Sequence, residues 1–416
     1  MKKSITVIGG GIIGLSCAVK LAEAGADVVV IEKEQVGYGC SYGNAGWMTP
    51  CFSMPLPMPG MLLKSMKWML NPSGPLYIKP VPSVLLTQWL TRFLLSMTEK
   101  KSQIAIEALV ALSMKSLNDY KILAQEYPEI EMQQKGLLMV SATNEGVKAA
   151  VQELNLVEKY NVPGKILNAE QIKELEPALK GNLLGGVYFT NEAHAEPLKV
   201  VQALTKKALK LGVKILEHTE FQKANITTDG SNKKIKSILT SKGEILAEAF
   251  VLATGSWSQA IAAELNLNVP ILGGKGYALI VDRLKSQPKI PIMILDRKIA
   301  ITPRQDSLRI AGTLELVNQD FSITERRVKA IFDGAKEFLD IPESIKIHET
   351  WRGLRPCTPD GVPLIGWAKD YSNLMMACGH QMLGLQSGLG TGQLVSDLIV
   401  LGQSDLNRQV YDPARF

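Results

Sequence analysis

Val7-Ile8-Gly9-Gly10-Gly11-Ile12-Ile13-Gly14-Leu15 closes one short apolar run and opens a pattern of helical period. Residues 5–8 read as a buried strand and residues 12–24 as the following helix, stopped at Gly25. Gly9 permits the tight turn, Gly11 lets the backbone approach a pyrophosphate with no Cβ in the way, and Gly14 lets the helix lie close on the strand. The helix N-terminus, with unpaired amides and the positive end of its dipole, attracts a diphosphate at Ile12. A second apolar run, residues 28–31, leads into Glu32, eighteen residues beyond Gly14. A carboxylate there accepts hydrogen bonds from a ribose and repels a 2′-phosphate, which disfavours NADP. The bland alternative is a glycine-rich turn with no ligand; strand, helix, strand and acid in this order disfavour it.

The far end of the chain carries a second signature, Gly353-Leu354-Arg355-Pro356-Cys357-Thr358-Pro359-Asp360-Gly361-Val362-Pro363-Leu364-Ile365-Gly366. A glycine fingerprint alone serves nicotinamide and flavin cofactors alike. A chain that returns to its nucleotide site at the far end points to FAD, with Gly353 and Lys33 among the contacts. The small-residue loop Ser41-Tyr42-Gly43-Asn44-Ala45-Gly46 is suited to pass close to a flat cofactor, and Val251-Leu252-Ala253-Thr254-Gly255 reads as another cofactor-facing strand end. Gly384-Leu385-Gln386 looks like a helix start, whose free amides would stabilise negative charge on a flavin.

Composition bounds the rest. A chain of 416 residues fits two domains of ordinary size, and 46 basic against 40 acidic residues leaves a modest excess without long runs, which gives no support to nucleic-acid binding. The five cysteines lack metal-ligand spacing, so no metal is expected, and their scatter suggests reduced thiols in a cytoplasmic protein. The strand begins directly after Ser4, leaving no signal peptide to expect, and no apolar stretch reaches transmembrane length.

The expected organisation is α/β: a Rossmann-type FAD-binding domain from residues 1–56, 168–260 and 345–416, and a discontinuous mixed-sheet α+β substrate domain from residues 57–167 and 261–344. Helical pattern covers 83–127, 168–177 and 197–211, while 136–140 and 185–189 read as strands. Residues 213–217, 235–240 and 245–253 read as strands of a meander. The stretch 54–97 sets Met58, Met61, Met66, Trp68, Met69, Trp89, Phe93 and Met97 among Lys64, Lys67, Lys79 and Arg92. Such a surface suits peripheral contact with an anionic membrane and a quinone; equally, the methionines suit a domain core.

Taken together, the glycine fingerprint, Glu32, the 41–46 loop, Ala253-Thr254-Gly255 and the run 353–366 resemble the D-amino acid oxidase-like flavoenzyme superfamily. The loop 41–46, Gly276-Tyr277 and residues 59–70 are most similar to its bacterial D-amino acid dehydrogenase branch. The resemblance implies noncovalent FAD, hydride transfer from a substrate Cα to flavin N5, release of a 2-oxo acid and ammonia, and a quinone or other membrane electron acceptor. It implies that Arg355, in the GLRP motif, binds the substrate carboxylate, a task suited to a planar guanidinium. Tyr277 is the second candidate for that clamp, with a half-buried strand tyrosine as its bland alternative. His380 either lies over the ring or is a satisfied core histidine. Met382 stands where some amine-oxidising relatives place an arginine. For His194, packing or capping is the expected role, and Cys357 and Cys40 are not expected to bond the flavin. Three classes stay open: the dehydrogenase, an oxygen-using amine oxidase of glycine or sarcosine type, and a noncatalytic flavoprotein subunit. A carboxylate clamp at Arg355 argues against the last.

Overall fold

The computed structural model describes residues 2–60, 76–78 and 83–416. The described residues form twenty strands, numbered in chain order, of which fifteen build two main sheets and five build two small ones. The first has the order β19 (Leu364–Trp367), β20 (Leu374–Cys378), β13 (Ala249–Leu252), β1 (Ser4–Ile8), β2 (Asp27–Ile31) and β9 (Lys214–Leu216). β1 lies between parallel partners, with Ile5 opposite Val28 on one side and Ala249 on the other. A strand paired on both edges and covered on both faces needs apolar residues in succession, as Ile5, Val7 and Ile8 provide.

The helix Ile12–Glu23 follows the glycine turn as expected, and Gly25 (φ +89°) reverses the chain after it. Gly14 is the point of closest approach: a Cβ there would lie 1.8 Å from the Gly9 carbonyl oxygen. The helix Gly384–Ser396 packs across this first helix through Gly392, so the two ends of the chain share one core. That contact is why a C-terminal motif and an N-terminal motif build the same site.

The second sheet has nine strands. Its path runs β18 (Ile347–Cys357), β14 (Leu272–Asp282), β17 (Ser307–Val317), β16 (Ile299–Pro303), β15 (Ile292–Ile294), β5 (Leu137–Ser141), β7 (Gly185–Phe189) and β6 (Gly164–Asn168), with β4 (Leu76–Ile78) beside β17. One face of the β14–β17 region carries Tyr277, Leu279, Val281 and Ile310, packed in a core with Ile331 of the helix Glu325–Lys336. The opposite face looks toward the first sheet. A smaller antiparallel sheet joins β10 (Phe221–Asp229), β11 (Asn232–Thr240) and β12 (Gly243–Leu246), and β3 (Trp47–Met48) pairs with β8 (Ala193–His194).

Several sequence expectations shift. Residues 185–189 and 347–357, assigned to the nucleotide domain, are strands of the nine-stranded sheet, because β7 pairs with β5 and β18 with β14 over most of its length. The helix Glu99–Glu126, assigned to the substrate domain, buries Leu112, Leu117 and Tyr120 in the nucleotide-domain core. The meander over 213–253 separates into an edge strand of the first sheet (β9), the small sheet including β10, and the inner strand β13. Strand periodicity alone does not tell which sheet a strand joins. Of the 54–97 surface, Met61, Lys64, Met66, Lys67, Trp68, Met69 and Lys79 lie outside the described residues; Trp89 is fully buried against Leu272, Leu316 and Cys357. No helix among the described residues is long and apolar enough to cross a membrane.

The approach at Gly14 gives a first prediction. Gly14→Ala forces a Cβ into the Gly9 carbonyl and is expected to destabilise the fold by about 1–3 kcal/mol, with loss of bound chromophore. Thermal melts and the visible spectrum of the purified variant check this.

Candidate active site

Between the two sheets lies a cavity of about 1620 Å³, larger than a common ligand pocket. At one end it meets the turn after β1. Gly10 N donates to Glu32 Oε2 at 2.8 Å and Glu34 N to Oε1 at 3.0 Å, so the carboxylate is fixed at the cavity wall. Lys33 holds its ammonium over the Trp257 ring at 4.5 Å. Gly9 faces the end of β13: a Cβ on it would stand 2.6 Å from the Ala253 carbonyl oxygen. Ala253, Thr254 and Gly255 line the cavity beside it, and Thr254 is held by Ser258 at 3.0 Å.

The loop after β2 serves mainly to shape this end. Ser41 Oγ accepts from Ile12 N at 2.9 Å and so caps one first-turn amide of the helix Ile12–Glu23. Asn44 binds its own loop, accepting from Gly46 N at 2.9 Å and donating to the Ser41 carbonyl at 3.1 Å. Ala45 O accepts from Thr302 of β16 at 2.8 Å, which ties the loop to the second sheet. All the expected cofactor residues line the cavity except Gly14 and Gly46, which act through close backbone approach.

At the C-terminal side, Gly384, Leu385 and Gln386 line the cavity ahead of the first intrahelical bond, from Ser387 N to the Leu383 carbonyl. Their amides are the unpaired donors of a helix start. The Gln386 side chain is engaged elsewhere, donating to Ser113 Oγ at 3.0 Å. The volume of the cavity, a bare glycine turn, a fixed acid and two helix starts suit an FAD molecule.

Arg355 lines the cavity. It stands on β18 opposite Gly274 of β14, and its guanidinium lies over Gly276, where a Cβ would come within 2.1–2.4 Å of Nη1, Nη2 and Cζ. Nη1 donates to the Thr313 carbonyl at 2.9 Å. Burial holds the pKa of Arg355 below the ordinary arginine value, and the neighbouring groups that oppose this are the thiols of Cys357 and Cys40. Among the described residues no carboxylate pairs with it. Burial likewise pushes the Cys40 thiol up to about 11 and the Cys357 thiol up to about 12, so both are neutral near pH 7.

Thr313 owes its place to a β-bulge. The β14–β17 register jumps between Lys275–Glu315 and Tyr277–Gly312, so Thr313 and Leu314 together face the single Gly276. Thr313 takes φ +60°, a left-handed conformation that costs an L-residue about 1–2 kcal/mol. Nothing in the sequence marks this; the bulge arises from pairing between distant strands.

Tyr277 does not join Arg355. It sits on the helix-covered face, donating to Glu315 Oε1 at 2.6 Å and accepting from Thr324 N at 3.1 Å, and burial with that carboxylate pushes its phenol up to about 12. Gly276 and Tyr277 are successive strand residues and therefore point to opposite faces. His380 is buried at the cavity, its Nε2 2.9 Å from Thr391 Oγ1, and burial depresses its pKa to about 3. It is thus a neutral, hydrogen-bonded histidine. His194 is also buried, with a pKa pushed down to about 4, on β8 opposite Trp47. Motifs did not reveal the wall built from Trp47, Phe52, Met293, Ala300 and Ala311, which comes from three separate chain segments.

The family description "FAD dependent oxidoreductase" (DAO) matches residues 4–398. The chain belongs to this family. It is 32% identical over 409 residues to the D-amino acid dehydrogenase of Vibrio atlanticus strain LGP32, covering 97% of each chain. The D-amino acid dehydrogenase of Helicobacter pylori strain J99 is also 32% identical, over 413 residues, covering 99% of this chain and 98% of the relative. Among solved structures, glycine oxidase from Geobacillus kaustophilus superposes with a TM-score of 0.80 at 22% identity over the whole of both chains. L-proline dehydrogenase from P. horikoshii gives 0.78 at 24% identity, covering 100% of this chain and 98% of that one. These two likenesses are likenesses of fold. The chain is an FAD-dependent oxidoreductase of the DAO type.

The buried histidines set a pH dependence. Their pKa values fall below the unfolded value of 6.5, so the unfolded state binds more protons and stability drops as pH falls through the window from 6.5 toward 4. Melting temperature measured across that window is expected to fall, and His380→Asn to shallow the slope.

Proposed function

We propose that this protein oxidatively deaminates D-amino acids to 2-oxo acids and ammonia, passing electrons to a quinone-type acceptor. The observation that carries this reading is Arg355, a half-buried guanidinium lining the cavity between two sheets with no carboxylate partner among the described residues. A partly desolvated cation without a counter-ion is costly, and a carboxylate-bearing substrate relieves that cost. The similarity to D-amino acid dehydrogenases supports the choice of substrate class.

FAD, when bound, supplies the hydride acceptor. Arg355 holds the substrate carboxylate in a fixed plane, because its own plane is set by Gly276 beneath and Thr313 at its edge. The substrate side chain faces Ala311, Ala300, Met293, Trp47 and Phe52, an apolar wall that excludes water and favours apolar side chains. No residue is required as a dedicated base when the amine enters neutral. His380 keeps its neutral form and its bond to Thr391 throughout the ordinary pH range.

Arg355→Met is expected to retain FAD and to raise the KM for the preferred D-amino acid by roughly 100-fold or more, the range for losing a charged, enclosed contact. Steady-state assays with a soluble quinone analogue and with oxygen compare acceptors: turnover with quinone and little peroxide is expected. Unchanged KM removes Arg355 from the anchor role, and fast peroxide release favours an oxidase.

A further inference from the structure

We propose that Thr313 is a positioning residue for substrate: the left-handed bulge it occupies in β17 directs its carbonyl onto Arg355 and so fixes the guanidinium plane that receives the carboxylate. This rests on the anchor role of Arg355 given above. Three observations combine. The bulge places two residues, Thr313 and Leu314, against the single Gly276, directly beneath the guanidinium. Thr313 sits at φ +60°, a position that β-branched residues rarely hold and that glycine ordinarily fills in bulges of this kind. Its carbonyl accepts from Arg355 Nη1 at 2.9 Å, the one hydrogen bond that the guanidinium makes to the rest of the protein among the described residues.

The geometry explains what the bulge does. In a regular ladder every carbonyl along β17 points either to β14 or to the strand on its other edge, β16 up to Gly312 and β4 from Leu314, in the plane of the sheet. The extra residue breaks that alternation and releases a carbonyl toward the cavity face. Guanidinium nitrogens are donors only, so this carbonyl holds one edge of the group, while bare Gly276 supplies a flat floor. Lacking the carbonyl, Arg355 has no other hydrogen-bonded tether among the described residues, and its plane turns freely about the last side-chain torsions. Backbone held in a rare conformation beside a binding group is a recurring feature of ligand clamps.

Removal of Thr313 tests this without disturbing the flanking registers. Deleting one of the two bulged residues leaves Tyr277 opposite Gly312 and Lys275 opposite Glu315, in a regular ladder. The FAD-loaded deletion variant is expected to bind benzoate, read by perturbation of the visible absorption, about tenfold more weakly than wild type, with KM for the D-amino acid raised in parallel and kcat within about twofold. Thr313→Gly keeps the bulge and relieves its strain, so its benzoate affinity should equal that of wild type while its melting temperature rises. Where the deletion variant fails to fold, Thr313→Pro, whose φ is fixed near −65°, removes the left-handed conformation and should show the same loss.

Wild-type benzoate affinity in the deletion or proline variant overturns the proposal. So does a loss in Thr313→Gly as large as in the deletion, because the effect would then belong to the side chain. Arg355→Met separates the two levels. If it binds benzoate as wild type does, the anchor reading fails; if it loses benzoate while the Thr313 variants do not, only the positioning role fails.

Discussion

A half-buried guanidinium in the cavity between two sheets, with no carboxylate against it among the described residues, is the constraint around which the site is arranged. Its charge must be met by something that arrives from outside, and the surroundings of Arg355 leave room for that while denying alternatives. Gly276 gives it a floor with no Cβ, Thr313 gives it one carbonyl, and the thiols of Cys40 and Cys357 stay neutral beside it. Tyr277, one residue from Gly276, and Glu315, two residues from Thr313 across the bulge, turn to the opposite face and pair with each other. Alternation along β14 and the bulge in β17 together keep this carboxylate away from the cation.

The chain topology follows from the need to bring that cation to a nucleotide cradle. The cradle is a local object, built by β1, its glycine turn and Glu32. Arg355 belongs to β18, an edge strand of the other sheet, and β18 leads directly into β19 and β20, which return to the first sheet. Helices Ile12–Glu23 and Gly384–Ser396, packed together through small residues, then place two helix starts at the same cavity. Crosslinks between the sheets hold the arrangement at fixed spacing: Thr302 on the Ala45 carbonyl, Tyr42 on Glu349, and Arg309 on Glu196. Glu196 is shared by Arg309 and Arg304, so losing this carboxylate leaves Arg309 charged in the interior.

The sequence revealed the parts whose physics is local. Gly9, Gly11, Gly14 and Glu32 follow one another within a single strand–turn–helix–strand unit, and each constrains the next, so both the fold class and the nucleotide site could be read from it. Arg355 was legible only through resemblance, because an arginine before a proline carries no signature of its own. For Tyr277 the sequence leaves open a place in the clamp or an ordinary strand tyrosine, because no motif says which face of β14 it takes; the bulge opposite Gly276 and the pairing with Glu315 decide that, and both involve residues some forty positions away. The boundaries at 168 and 345 shifted for the same reason: β7 and β18 look like any apolar strand until their partners are known. Ser41 and Asn44 were recognised as site residues, yet their side chains shape the loop and cap the helix instead of facing outward.

The central claim is that the cavity receives a D-amino acid by its carboxylate and delivers its Cα hydrogen to bound FAD. The most direct measurement is anaerobic titration of the FAD-loaded protein with paired D- and L-enantiomers of apolar amino acids, following the absorption near 450 nm. The account predicts bleaching by the D-enantiomers and none by their L-partners at the same concentration. Bleaching by the L-enantiomers alone, or by no amino acid of either hand, contradicts it.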